Sequence, residues 1–210
     1  MPLQNRVTPF GEIVALAGRG LVMGNRGILH DDERRVIRYS QVRRWLVCRT
    51  EFRGRHRSIM RPHSYTELFF LDEATAFAAG HRPCAECRHT DYRQFRALWA
   101  ICHGEPVSAD LIDLKLQGDR LAGRRVKRVY REDLRDLPDG AYIAMGDRAW
   151  LVWGNSLCAW SAFGYAERRG RPVHLEVEVL TPRSTVAVLK AGYRATAHPS
   201  ADHQAALTFV

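Results

Sequence analysis

The 210-residue chain is 46% apolar and 26% charged, with a formal net charge of +9. These proportions suit a globular protein with one sizeable core or two small ones, and no apolar run is long enough to span a bilayer. Five cysteines, an odd number, follow an N-terminus (Met1 to Arg6) that lacks the apolar centre of a secretory signal. That excludes a disulfide framework, favours reduced thiols or metal ligands, and sets the expectation of a cytoplasmic protein.

Residues 6–30 interleave Gly11, Gly18, Gly20, Gly24 and Gly27 with short apolar runs such as Ile13 to Leu16. The pattern predicts short strands joined by tight turns. Residues 34–62 are the most basic stretch. They include Arg43, Arg44, Arg49, Arg53, Arg55, Arg57 and Arg61, with Glu51 the one glutamate among them. Val36 to Tyr39 and Trp45 to Cys48 read as strands, the second delivering Cys48 among the arginines. Guanidinium groups bind phosphate through a planar fork, so nucleic acid, DNA before RNA, is the expected partner. The alternative is that the run is simply a solvated face.

Asp72 to Gly80 reads as a short helix, with Asp72 as N-cap, Glu73 at the positive end and Gly80 at the left-handed exit. A longer helix is predicted from Cys84 to Cys102. Tyr92, Phe95, Leu98, Trp99 and Cys102 recur on one face of it. Ser108 is placed to cap a helix through Asp110 to Leu116. A second basic cluster follows, Arg120, Arg124, Arg125, Lys127, Arg128 and Arg131. Tyr142 to Met145, Trp150 to Trp153 and His174 to Leu180 read as strands, and Thr181 to Ser184 open a helix that stops at Gly192. The fold class expected is α+β, a small metal-centred N-terminal module (1–104) packed with a strand-rich C-terminal region (105–210). The boundary is soft, and both parts can share one core.

The chemistry concentrates in Gly80-His81-Arg82-Pro83-Cys84-Ala85-Glu86-Cys87-Arg88. A CxxC is half of a tetrahedral zinc site, and free N–H groups of a following helix favour thiolate charge. Cys48 supplies a third sulfur. For the fourth position the local candidates are His56, His63 and His81. His63 is preferred, because a hairpin over residues 55–64 would return it to the site. Cys102 and Cys158 lie in apolar surroundings and read as buried structural thiols. Glu67 opens an apolar run. It is either a base or an outer partner near the metal, or a strand-edge carboxylate paired with an arginine.

Two segments resemble the N-terminal zinc domain of the bacterial Ada protein, which repairs methylphosphotriesters in DNA. Phe70 to Cys87 is similar to that family's helix, its "AAGxRPCxxC" turn and its last two ligands. Cys48-Arg49-Thr50-Glu51-Phe52-Arg53-Gly54-Arg55-His56 is similar to its "CRPxCRAR" segment. The resemblance covers residues 48–88 only. It implies that Cys84 and Cys87 bind zinc, and that Cys48 is both a ligand and the thiolate that accepts a methyl group. The family's next ligand falls on Phe52, which cannot bind zinc.

Three functions follow from these residues. The first is a zinc-containing protein that binds the DNA phosphate backbone, with DNA repair or damage response implied by the resemblance. The second is a zinc-dependent enzyme acting on a nucleic acid or nucleotide, through an open metal position or the C-terminal half. In it either Cys48 is the alkyl acceptor or a metal-bound water hydrolyses the substrate. The third is a zinc-stabilised module for protein interaction. The first predicts salt-sensitive DNA binding, the second a reactive centre, the third an exposed apolar patch.

Overall fold

The computed structural model describes residues 1–54, 58–105 and 107–202. The fold is α+β: four helices accompany two six-stranded sheets. The first sheet is assembled from β1 (Arg6–Val7), β2 (Ile13–Val14), β3 (Val22–Asn25), β4 (Leu46–Cys48), β5 (Leu68–Phe70) and β6 (Arg82–Pro83). Their order is β2-β1-β5-β3-β4-β6. Five of the six strands precede α1 (Glu73–Ala78), and β6 follows it. Gly11, Gly18, Gly20 and Gly27 lie outside the strands, as predicted for turns, whereas Gly24 sits inside β3. At Gly24 an added Cβ would lie 2.2 Å from the Leu46 carbonyl oxygen, so only glycine lets β4 approach β3 this closely.

The remaining helices are α2 (His89–His103), α3 (Ala109–Arg120) and α4 (Arg183–Lys190). The second sheet holds β7 (Tyr130–Asp133), β8 (Tyr142–Met145), β9 (Arg148–Trp153), β10 (Ser156–Ser161), β11 (Gly164–Gly170) and β12 (Glu176–Val179). They lie in the order β11-β10-β9-β8-β12-β7, and every pairing is antiparallel. β12 alternates exposed Glu176 and Glu178 with buried Val177 and Val179, the signature of a strand with one covered face.

Several expectations are corrected. The CxxC does not open a helix: residues 84–88 form a turn, and α2 begins at His89. Val36 to Tyr39 is not a strand but meets His30 in a single bridge at Val36. α3 runs beyond Leu116 to Arg120, capped by Ser108 as predicted. Arg120 is buried, not part of a basic surface. β10 and β11 carry no strong turn signal between them and follow from the structure alone.

One buried cluster joins the two halves, with Val47, Phe70, Phe77 and Phe95 packing with Tyr142, Leu151, Val188 and Tyr193. A second lies around Ile143, Trp150, Val177 and Val186. α1 is the seam. Every residue in it is buried, and it packs on both β5 and β8. Among the described residues no helix is long and apolar enough to cross a membrane.

Candidate metal centre

Cys48 ends β4, which pairs antiparallel with β3 (Met23 opposite Cys48) and parallel with β6 (Leu46 opposite Arg82). β6 is an edge strand containing Pro83. A proline has no N–H to give, and here none is needed. The Arg82 N–H donates to the Trp45 carbonyl (3.0 Å) and the Cys84 N–H to the Val47 carbonyl (2.9 Å), one on each side of the proline. That pairing carries Cys84 alongside the end of β4. The chain then turns, the Arg88 N–H closing on the Cys84 carbonyl (3.1 Å), and Cys87 comes round to the same side. Arg88 ties the turn to α1 through an ion pair with Glu73 (2.8 Å) and to the first turn of α2 through one with Asp91 (2.7 Å).

The result is a group of three sulfurs, Cys48, Cys84 and Cys87, all within 4.8 Å of one another. Zinc with Zn–S bonds of about 2.3 Å in a tetrahedron needs sulfurs about 3.8 Å apart, so the donor set fits a metal ion of this kind. Backbone N–H groups of Glu86 and Cys87 donate to Cys84 Sγ, and that of Arg49 donates to Cys87 Sγ. The thiolate-stabilising donors expected from a helix N-terminus are therefore supplied by the turn instead. The hydrogen bond between Cys48 and Cys84 pushes the Cys48 thiol up and holds Cys84 below the usual thiol range. A bound divalent cation would favour the thiolate form of all three.

No histidine, aspartate or glutamate among the described residues joins this group. His63 is not brought to it. A turn over residues 61–64, closed by the Ser64 N–H on the Arg61 carbonyl (3.2 Å), leaves His63 exposed in a left-handed conformation (φ 59°). His81 is buried between Trp45 and Phe70, ring centroids 5.3 and 4.6 Å away. Burial and the nearby charges of Arg26 and Arg120 hold its pKa well below the usual imidazole value. His56, Arg55 and Arg57 lie outside the described residues. Cys102 donates to the Ala187 carbonyl (3.3 Å) and Cys158 is buried, so neither reaches the site.

Arg43, Arg44, Arg49, Arg53 and Arg61 are all exposed. Arg49 lines a cavity of about 340 Å³ into which the three cysteines face, together with Phe52 and Phe69. Arg53 stacks on Phe52, its Cζ 5.0 Å from the ring centroid. Glu67 lines the same cavity. Among the described residues it pairs with no arginine and accepts from the Met60 N–H at 2.8 Å. Nothing in its sequence surroundings separates those two fates, since the donor lies at the end of an irregular loop.

No protein-family model, no curated protein and no solved structure matches this chain.

Proposed function

We propose that this chain is a zinc-containing protein that binds the phosphate backbone of DNA and serves in DNA repair or the damage response. The observation that carries this reading is the convergence of Cys48, Cys84 and Cys87 in one cavity with Arg49 on its wall. Thiolate donors favour zinc among the available divalent ions. Exposed Arg43, Arg44, Arg53 and Arg61 on the flanking segment supply the cations that would displace counterions from a duplex. The likeness of residues 48–88 to the Ada zinc domain supports the repair role.

The test is fluorescence anisotropy of a labelled duplex across a salt series, with metal content measured on the same protein. Five phosphate contacts give a slope of log affinity against log salt of about −4.5, or about 500-fold weaker binding at 200 than at 50 mM salt. Arg49→Ala with Arg53→Ala should flatten that slope by about 2. Affinity indifferent to salt removes the phosphate reading.

A second reading, a reactive centre, is favoured by the absence of a fourth protein donor among the described residues. Metal sites with three protein ligands keep a position open, whereas structural zinc sites are closed. Bound zinc would hold the sulfurs as thiolates. Cys48 would then attack a methyl carbon of a phosphotriester, forming S–C as C–O breaks and leaving a phosphodiester anion. Peptide mass spectrometry after incubation with methylphosphotriester DNA should find a methyl adduct on Cys48. An adduct elsewhere, or none, removes Cys48 from that role.

A further inference from the structure

The cavity holds one group that neither phosphate binding nor metal binding explains. Glu67 is 3% exposed. Its Oε2 accepts from the Met60 N–H, but its Oε1 is buried with no hydrogen-bond partner among the described residues. A carboxylate oxygen kept from water without a donor costs about 1–3 kcal/mol or more. Met60, which holds the other oxygen, is itself in a left-handed conformation (φ 54°), unfavourable for a residue with a side chain. The chain thus holds an acceptor, unmatched, on the wall of a cavity.

The rest of the lining describes what would match it. Phe52, Tyr65 and Phe69 are aromatic, Met23 and Ile59 aliphatic. The volume, about 340 Å³, is at the small end for ligand sites, room for one ring system rather than a string of nucleotides. Phe69 is backed by Arg6, whose Cζ lies 5.0 Å from its centroid, as Arg53 backs Phe52. Acidic Glu67 lines this interior and Arg49 is exposed at its wall, so a phosphate belongs outside, near Arg49. A flat, neutral ring carrying an N–H fits inside.

We propose that the cavity is a binding site for a single nucleobase, turned out of its strand, with Glu67 Oε1 accepting a base N–H and the aromatic side chains packing on the ring. The supply of such bases from a nucleic acid rests on the reading above, whereas the site itself can be tested without any phosphate.

Saturation-transfer NMR on the zinc-loaded full chain, with adenosine, cytidine and guanosine as probes, reads the site directly. Adenosine should bind at least tenfold more tightly than N6,N6-dimethyladenosine, which keeps the ring but has lost the amino N–H. Glu67→Gln keeps an acceptor for Met60 but turns an amide N–H2 toward the ligand, and it should weaken adenosine about tenfold. Zinc content and circular dichroism qualify that variant, and the methylated nucleoside tests the unaltered protein whether or not the variant folds. Equal binding of the two adenosines, or no transfer to any nucleoside at millimolar concentration, overturns the proposal. Nucleosides carry no phosphate, so the two readings fail separately. Adenosine binding beside a salt-insensitive duplex leaves the base site and removes the backbone contact. Salt-sensitive duplex binding with silent nucleosides does the reverse.

Discussion

Trp45 is held between two arginines. The Cζ of Arg26 lies 4.0 Å from its ring centroid and that of Arg120 lies 3.9 Å away, while its own N–H donates to the Val42 carbonyl (2.9 Å). Arg120 also donates to the Gly80 and Arg43 carbonyls, at 2.8 and 2.6 Å, which ties the end of α3 to the exit of α1. Beside them Lys127 donates to the Ala78 carbonyl at 2.5 Å. The ring faces and carbonyls are partial charges only, so this cluster gathers cations without a full counter-charge on each. Burial, followed by the fields of Arg26 and Arg120, lowers the Lys127 pKa from 10.5 to about 7. Between those two values the unfolded chain keeps its proton and the folded chain releases it, so stability rises with pH there and is lowest below about 7. Urea midpoints of the wild type and Lys127→Met should therefore diverge from pH 7 upward, the wild type gaining by at most about 1.4 kcal/mol per pH unit. Parallel curves across that window would show Lys127 to be charged in the fold.

The same economy of polar groups governs α1. Six buried residues make too short a helix to stand alone, and its two leading carboxylates anchor it to the C-terminal half. Asp72 Oδ1 takes the Thr75 N–H (2.8 Å), and its Oδ2 takes the Tyr165 hydroxyl (2.6 Å) and the His198 N–H (2.8 Å). Glu73 takes the Tyr193 hydroxyl (2.9 Å) and the Thr196 N–H (3.1 Å) besides pairing with Arg88. Asp72→Ala loses a helix cap, worth about 1 kcal/mol, and strands at least two buried donors at about 1–3 kcal/mol each. Chemical unfolding should register a loss of about 3 kcal/mol or more. Asp72→Asn retains one acceptor and should lose clearly less; equal losses would mean the carboxylate serves only as bulk. The cap itself was legible, because Asp72 followed by Glu-Ala-Thr-Ala and a later glycine is a local signal. So were α3, α4 and the strands at residues 142–145 and 150–153, where period and turn residues agree. The far partners of Asp72 were not legible, since Tyr165 and His198 reach it only through tertiary packing. The convergence of Cys84 and Cys87 was legible from their spacing, and that of Cys48 from its place in the basic run upstream. The exposed turn at His63 and the buried acceptor at Glu67 depend on an irregular loop whose path no periodicity describes.

Across the whole molecule, charge does different work from what composition alone implies. Of the arginines that make the chain basic, Arg26, Arg82, Arg88 and Arg120 are inside. Arg82 is spent on a bidentate pair with Asp113 (2.9 and 2.7 Å) and Arg88 on Glu73. They hold α3 and the 84–88 turn in place and are not offered to a partner. The consequence reaches the three-cysteine group. Cys48 sits in a strand flanked on both sides, and Cys84 is fixed by the backbone bond to Val47. Arg82 and Arg88 clamp the residues before and after the cysteine pair. These bonds are expected to keep the sulfurs together when no ion is bound, unlike small zinc modules whose folding is the binding of the metal. Chelation of the purified protein should leave its far-ultraviolet circular dichroism essentially unchanged. It should lower the melting temperature by about 5–10 °C when measured against protein with free zinc at 100 times its dissociation constant, a linkage of about 2.7 kcal/mol. Loss of secondary structure on chelation would overturn this, because it would place the metal, rather than the buried arginine pairs and strand bonds, as the organiser of residues 46–88.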